Sequence, residues 1–320
     1  MPASAPLSLV ADIGGTYSRV ALAKGGQVLE ASIRRYRNAE EPGLADVLQS
    51  YVAETGARPE AACLALAGPV RGGAGKLTNL DWAIDLPGLR RSTGAPRVAL
   101  LNDLEAQGHA LEALPQGAIR ELRPGAPAPG DAARLVLEMG TGFNIAAVHT
   151  GPGGRCVAAS ESGHASLPCF SESDLDLARY LSGGSPRASV EQALSGPGLE
   201  RLHGWLTTRA GTPHAASGPE IMQGAAAGEP AALETLRLFV RLLGTVAGDL
   251  ALITLPFGGI YLTGGVGRAV APHLPGFGFA EAFADKGRFA GLMAAFPIFV
   301  IEDDAAALTG CAAYLAGGAS

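Results

Sequence analysis

The chain has 320 residues, of which 48% are hydrophobic and 17% charged, a balance that excludes an intrinsically disordered protein. Its net charge of −6 gives no electrostatic footing for nucleic acid or an anionic membrane as partner. The length allows two lobes and is too great for one ordinary core.

The opening MPASAPLSLVADIGG has no basic stretch of the kind that starts a signal peptide. From Ser8 to Tyr36 the chain reads as strand, turn, strand, turn, strand: runs rich in Val, Ile and Leu are punctuated by Gly14-Gly15 and Gly25-Gly26. A Rossmann unit needs a helix directly after its first glycines, and none is indicated here. A helix is predicted over residues 41–54, a buried strand over 61–68, and another over 97–101 that runs into Asn102-Asp103 with a helix from Leu104. The Pro/Gly-rich stretch ELRPGAPAPGDAA, between Leu114 and Ala133, offers few apolar contacts and suits a passage between lobes. The strand–glycine–strand theme then recurs in RLVLEMGTGFNIAAVHTGPGGR, which suggests a duplicated fold. Helices are predicted to dominate from Leu175 to Leu252. The most apolar stretch, Leu238 to Leu255, holds Arg241, Asp249 and two glycines, so it reads as a buried helix rather than a membrane span. A strand at 259–263 meets Gly264-Gly265, a strand at 297–301 follows, and a helix from Asp303 ends the chain. The whole is α/β. Cys63, Cys156, Cys169 and Cys311 are scattered without a C-x-x-C pair, which argues against a zinc site and a disulfide framework. Reduced thiols and the lack of a targeting signal place the expected location in the cytoplasm.

Several short segments carry chemistry. In Asp12-Ile13-Gly14-Gly15-Thr16 a carboxylate is followed by two glycines and a hydroxyl. The glycines let backbone N–H groups approach phosphate oxygens, and Asp12 can hold Mg²⁺ through water. G-G-T alone fits an ordinary hairpin turn equally well, and no G-K-[ST] follows to make a Walker loop. Gly140-Thr141-Gly142 offers a matching turn from the other half, and two such turns are more informative than one. Gly264-Gly265 suits either close packing of an adenosine or a glycine-led start of a helix. Asn102-Asp103 can hold a hydroxyl and take its proton, although spacing alone favours Asp103 as a helix cap. Glu161, His164 and Glu191 add polar groups suited to sugar hydroxyls.

Taken in order, D-I-G-G-T at 12–16, L-T-N-L-D-W at 77–82, N-D at 102–103, G-T-G at 140–142 and E-x-G-H at 161–164 form a familiar series. L-S-G-P-G-L at 194–199, G-G-I-Y-L-T-G-G-V at 258–266 and D-K-G-R-F at 285–289 complete it. This series resembles the bacterial glucokinases of the non-ROK group across nearly the whole chain. The resemblance implies a two-lobed, ribonuclease-H-like (actin-like ATPase) sugar kinase fold. Its small lobe would span 1–113 plus 304–320, its large lobe 114–303, and its active site would lie in the cleft between them. It further implies ATP-dependent phosphorylation of glucose at the 6-hydroxyl, as in glycolysis, with Asp103 as general base. By residue, it places sugar on Asn102, Asp103, Glu161, His164, Glu191 and Asn79. ATP with Mg²⁺ falls on Asp12, Gly14, Gly15, Thr16, Gly140, Thr141 and Gly142, the adenosine side on Gly264 and Gly265, and a homodimer is expected.

Three departures from the family pattern stand out. Tyr17 replaces an Asn after G-G-T. The second turn continues Phe143-Asn144 rather than Leu-Gly and is preceded by Glu138, a carboxylate that would repel phosphate unless it points away. Asn144 is expected to supply the positive φ that the turn would need. Ser162 replaces a glycine in E-G-G-H, adding a hydroxyl and restricting the loop. Two other readings stand beside this one: a kinase for mannose or glucosamine, since hydroxyl preference depends on loop geometry, and, from the altered second turn, a hexose-binding regulator with weak phosphoryl transfer.

Overall fold

The computed structural model describes residues 5–77, 80–185 and 187–317. They form two compact units: residues 1–118, 152–159 and 303–320 make the first, and 119–151 with 160–302 the second.

In the first unit, Leu7–Ile13 and Tyr17–Lys24 pair as an antiparallel hairpin. Ala61–Leu66 and Arg97–Asn102 then add in parallel, so that Asp12, Ala65 and Leu101 lie side by side. All six residues of Ala61–Leu66 are buried, as an inner parallel strand covered on both faces requires. Alternation sorts the side chains of the first strand. Leu9, Ala11 and Ile13 pack with Leu44, Val47, Leu48 and Tyr51 of the helix Leu44–Thr55. Val10 points the other way, to Cys63, Leu308 and Cys311. The predicted helix over 41–54 therefore begins later, at Leu44, because Gly43 is its extended N-cap. The third predicted strand is interrupted: Gln27–Val28 is followed by a 3₁₀ turn before Arg34–Arg37 pairs with Tyr17–Lys24.

The second unit repeats this plan. Arg134–Met139 and Phe143–Gly151 form the hairpin, and Ile260–Thr263 and Ile298–Ile301 add in parallel. Ile119–Arg123 closes the edge against Ile298–Ile301. That strand lies inside the stretch read as a passage with few contacts, because IRELR is a half-exposed edge strand with little apolar content. The unit's core joins Leu135, Leu137 and Met139 to Leu177, Leu202, Phe239 and Leu243 of the helices Glu172–Leu181, Gly196–Arg209 and Pro230–Thr254. Among the described residues no helix is long and apolar enough to cross a membrane.

Back in the first unit, the final helix Ala306–Ala316 packs on the helix Asp103–Ala110. It begins three residues later than expected, after a turn in which Asp303 Oδ1 accepts the Ala305 N–H at 2.7 Å. Where the helices cross, Gly310 lies against the backbone of Ala106, and a Cβ there would overlap the Ala106 carbonyl. Gly310→Ala therefore forces the two helices apart. We expect it to destabilise the protein by about 1–3 kcal/mol, read as a lower urea midpoint at constant m-value; an unchanged midpoint would contradict this packing.

Candidate active-site residues

Each unit carries part of the expected site at the carboxyl ends of its parallel strands. In the first, Asp12 sits next to last in its strand, and Asn102 ends the strand two places across. Asn102, not Asp103, caps the following helix. Its Oδ1 accepts the Leu104 N–H at 3.0 Å, and Glu105 Oε2 receives the Asn102 N–H at 2.7 Å, completing a capping box. The reading of Asp103 as the cap is thereby corrected. Asp103 is the first helical residue, and its Oδ1 shares the Leu104 N–H at 2.9 Å. The Asn102 amide also donates to Gly68 O at 3.1 Å, and its side chain hydrogen-bonds the Asp103 carboxyl.

Withdrawal from water pushes the Asp103 carboxyl up to about 7; the Leu104 N–H opposes this and the Asp12 charge adds to it. Burial also raises Asp12, against the pull of Arg19, whose Nη1 lies 3.4 Å from Asp12 Oδ2 and donates to Asp304 O at 2.7 Å. A desolvated carboxylate with so weak a cationic partner suits a second positive charge beside it, so Asp12 fits a role toward Mg²⁺ through water.

The G-G-T turn is closed by Gly14 N–H on Tyr17 O, at 3.0 Å. Buried Asn38 braces it: its Nδ2 donates to Gly14 O at 2.8 Å, its backbone N–H to Thr16 O at 3.0 Å, and its Oδ1 accepts from Ser18 at 2.8 Å. Neither Arg19 nor Asn38 was singled out in the sequence; an Asn 24 residues from its partner leaves no local signal. Among the described residues the Gly15 and Thr16 N–H groups have no protein acceptor. Tyr17 turns aside, with the Arg35 guanidinium 3.7 Å from its ring centre. Thr78 and Asn79 lie outside the described residues.

In the second unit the turn Gly140–Gly142 is closed by Gly140 N–H on Gly142 O at 2.9 Å, and the Thr141 and Gly142 N–H groups have no protein acceptor among the described residues. The expected positive φ at Asn144 is absent; Leu255 is the one non-glycine residue in that region among those described. Asn144 is instead a regular strand residue opposite Glu138. A Cβ at Gly142 would meet Glu191 Oε2 and displace that carboxylate. That oxygen accepts the Phe143 N–H at 3.0 Å, so Glu191 stands beside the turn. Ser195 of L-S-G-P-G-L caps the helix Gly196–Arg209 and donates to Glu191 O at 2.8 Å, while Gly196 N–H donates to Gly140 O at 2.8 Å. The backbone of Gly264 abuts Met139, immediately before the turn, and the glycine pair opens the short helix Gly264–Val270. Glu161 and His164 are exposed on either side of Gly163, which lies against the Phe143 carbonyl with no room for a side chain. Gly140–Gly142, Glu161–His164, Glu191 and Gly264-Gly265 thus converge within one unit, as do Asp12, Gly14–Thr16 and Asn102-Asp103 within the other.

The glucokinase family profile matches residues 9–317. The chain belongs to the glucokinase family. A glucokinase of Chromobacterium violaceum is 35% identical over 315 residues, which cover 96% of this chain and 89% of that relative. A glucokinase structure from an Antarctic psychrotroph superposes with a TM-score of 0.85 at 29% identity, over 97% of this chain and 98% of that one. A ROK family glucokinase from Streptomyces griseus, solved with glucose and AMPPNP, shares the fold at a TM-score of 0.65 and 21% identity, over 97% and 98% of the two chains. The fold is accordingly that of the actin-like sugar kinases of the ROK and hexokinase type.

For a family member whose Asp103 is lifted to about 7, charge on that residue opposes folding. Its proton is held more tightly in the folded state, so stability falls as pH rises from the ordinary value of 3.8 through about 7, then levels off. Asp103→Asn should raise Tm by at least about 2 °C at about pH 8, with the difference shrinking towards acid pH. A lower Tm for the variant at that pH would contradict the assignment.

Proposed function

We propose that the protein transfers the γ-phosphoryl group of ATP to the 6-hydroxyl of glucose, with Asp103 as general base. The observation that carries this reading is a carboxyl held at about 7, next to Asn102, which takes the helix N-cap position in its place. A base is most effective when its pKa lies near the working pH. Asp103 takes the proton of the sugar hydroxyl as that oxygen attacks the γ-phosphorus; the bond to the β–γ bridging oxygen breaks, and ADP leaves.

The N–H groups of Gly15, Thr16, Thr141 and Gly142, which have no protein acceptor among the described residues, would donate to phosphate oxygens, which carry the charge in such a transfer. Mg²⁺ bound with ATP would offset phosphate charge, with Asp12 holding it through water. Asn102, Glu161, His164 and Glu191 would hold the sugar hydroxyls. Glu191 enters with one oxygen already fixed by Phe143 N–H, so the other faces the sugar in a set orientation. Gly264-Gly265 would accept the adenosine side. The regulatory reading rests on an altered second turn; with two N–H groups there that have no acceptor among the described residues, it loses its motive. We place the reaction in the cytoplasm, at the start of glucose breakdown.

Purified protein should form ADP only when glucose is added. Asp103→Ala should lower kcat by roughly 10²–10⁴-fold while glucose still binds by calorimetry. Folded protein that forms no ADP with glucose, yet does so with mannose or glucosamine, would move the substrate assignment; none with any hexose would remove the reading.

A further inference from the structure

Two departures from the family pattern, Asn144 and Ser162, are 18 residues apart in sequence yet hydrogen-bonded to each other. Asn144 Oδ1 accepts the Ser162 backbone N–H at 3.0 Å, the Ser160 hydroxyl at 3.0 Å and, locally, the Ile145 N–H at 2.9 Å. Asn144 Nδ2 donates back to Ser160 O. The Ser160 and Ser162 hydroxyls are 2.7 Å apart, and Ser160 Oγ is also 3.0 Å from Ile145 O. A hydroxyl has one proton to give. With the Ser160 proton on Ile145 O or Asn144 Oδ1, the Ser162 hydroxyl donates to Ser160. Every polar atom of the Asn144 side chain and both hydroxyls are therefore engaged in one closed network.

The network lies between two parts of the proposed site. On one side Asn144 follows Phe143, whose N–H is held by Glu191 and whose carbonyl is pressed by Gly163. On the other, Ser162 is flanked by Glu161 and leads into Gly163-His164. A glycine at 144 has no amide to offer, and one at 162 has no hydroxyl and greater backbone freedom. The pair installed in place of two glycines thus ties the E-x-G-H loop to the strand leaving the phosphate turn.

We propose that Asn144 and Ser162 are positioning residues that hold the sugar-facing loop in its binding conformation before sugar arrives. The idea rests on the glucose kinase reading above. A loop fixed in advance loses less freedom on binding, so the effect falls on sugar affinity rather than on turnover of the bound complex. Asn144 and Ser162 touch neither the reacting oxygen nor the phosphorus; they act through Glu161 and His164.

The test compares unaltered protein with Asn144→Gly, Ser162→Gly and the double variant. Three readouts are taken: amide hydrogen exchange over 160–165 without ligand, calorimetric Kd for glucose, and kcat and KM. Asn144→Gly should speed exchange in that segment at least about tenfold and weaken glucose binding roughly tenfold. KM for glucose should rise in parallel, with kcat kept within about twofold. Ser162→Gly should act in the same direction and more weakly. The double variant should show less than the sum of the two single effects, because the two residues share one network. Unchanged exchange and Kd in both single variants would overturn the proposal, as would a fall in kcat at unchanged KM. If unaltered protein binds no glucose, the glucose assignment fails on that measurement alone, and unchanged exchange would still overturn the positioning role independently.

Discussion

The constraint on which the rest depends is the placement of two carboxylates, Asp12 and Asp103, where burial raises the pKa of both and the Asp12 charge raises Asp103 further. Asp12 sits near the end of a strand whose interior, Leu9–Ala11, is wholly buried, and Asp103 follows the strand Arg97–Asn102, on the far side of the buried Ala61–Leu66. A desolvated acid costs stability in its charged form, and the apolar sheet with helices on both faces supplies the stability that offsets it. The capping box of Asn102 and Glu105 matters for the same reason. Because Asn102 takes the N-cap, Asp103 Oδ1 only shares the Leu104 N–H, and its carboxyl remains able to take a proton.

The second unit solves a different problem with the same topology. Its hairpin turn sits where Asp12 and the G-G-T turn sit in the first, yet the nearby acid, Glu191, is spent partly on the Phe143 N–H. Around that bond the Phe143 carbonyl comes too close for a side chain at 163, so Gly163 is dictated by space, while a Cβ at Gly142 would push against the Glu191 carboxylate. The family motif L-S-G-P-G-L gains a physical meaning here: Ser195 and Gly196 hold Glu191 and Gly140 in place with three hydrogen bonds in all, one of them the helix cap. Likewise the lysine of D-K-G-R-F is buried, with its ammonium 2.8 Å from Asp249 and donating to Thr245 O at 3.1 Å, which makes it a brace for the long helix Pro230–Thr254.

Much of this was legible in the sequence. The two strand–glycine–strand hairpins stood out because buried parallel strands read as unbroken apolar runs and their turns as glycine pairs. The edge strand Ile119–Arg123 did not, since IRELR has few apolar residues and lies among prolines and glycines. Asp103 could not be separated from a helix cap, because Asn and Asp cap equally well and only the capping box, with Glu105 on the Asn102 N–H, decides between them. Asn144 was read as a source of positive φ, a local property, whereas its role lies in bonds to Ser160 and Ser162. Arg19 and Asn38 were missed for the same reason: each acts on a residue that only the fold brings near.

The most direct measurement of the central claim is kcat/KM for glucose from about pH 5 to about pH 9, in unaltered protein and in Asp103→Asn. The account predicts a tenfold loss per unit on the acid side in unaltered protein. Its apparent pKa should be no higher than about 7, since Mg²⁺ and its water near Asp12 would draw the carboxyl down. In Asp103→Asn the residual rate should lack that limb. A variant that kept most of the rate, with the same acid limb, would show that another group takes the proton.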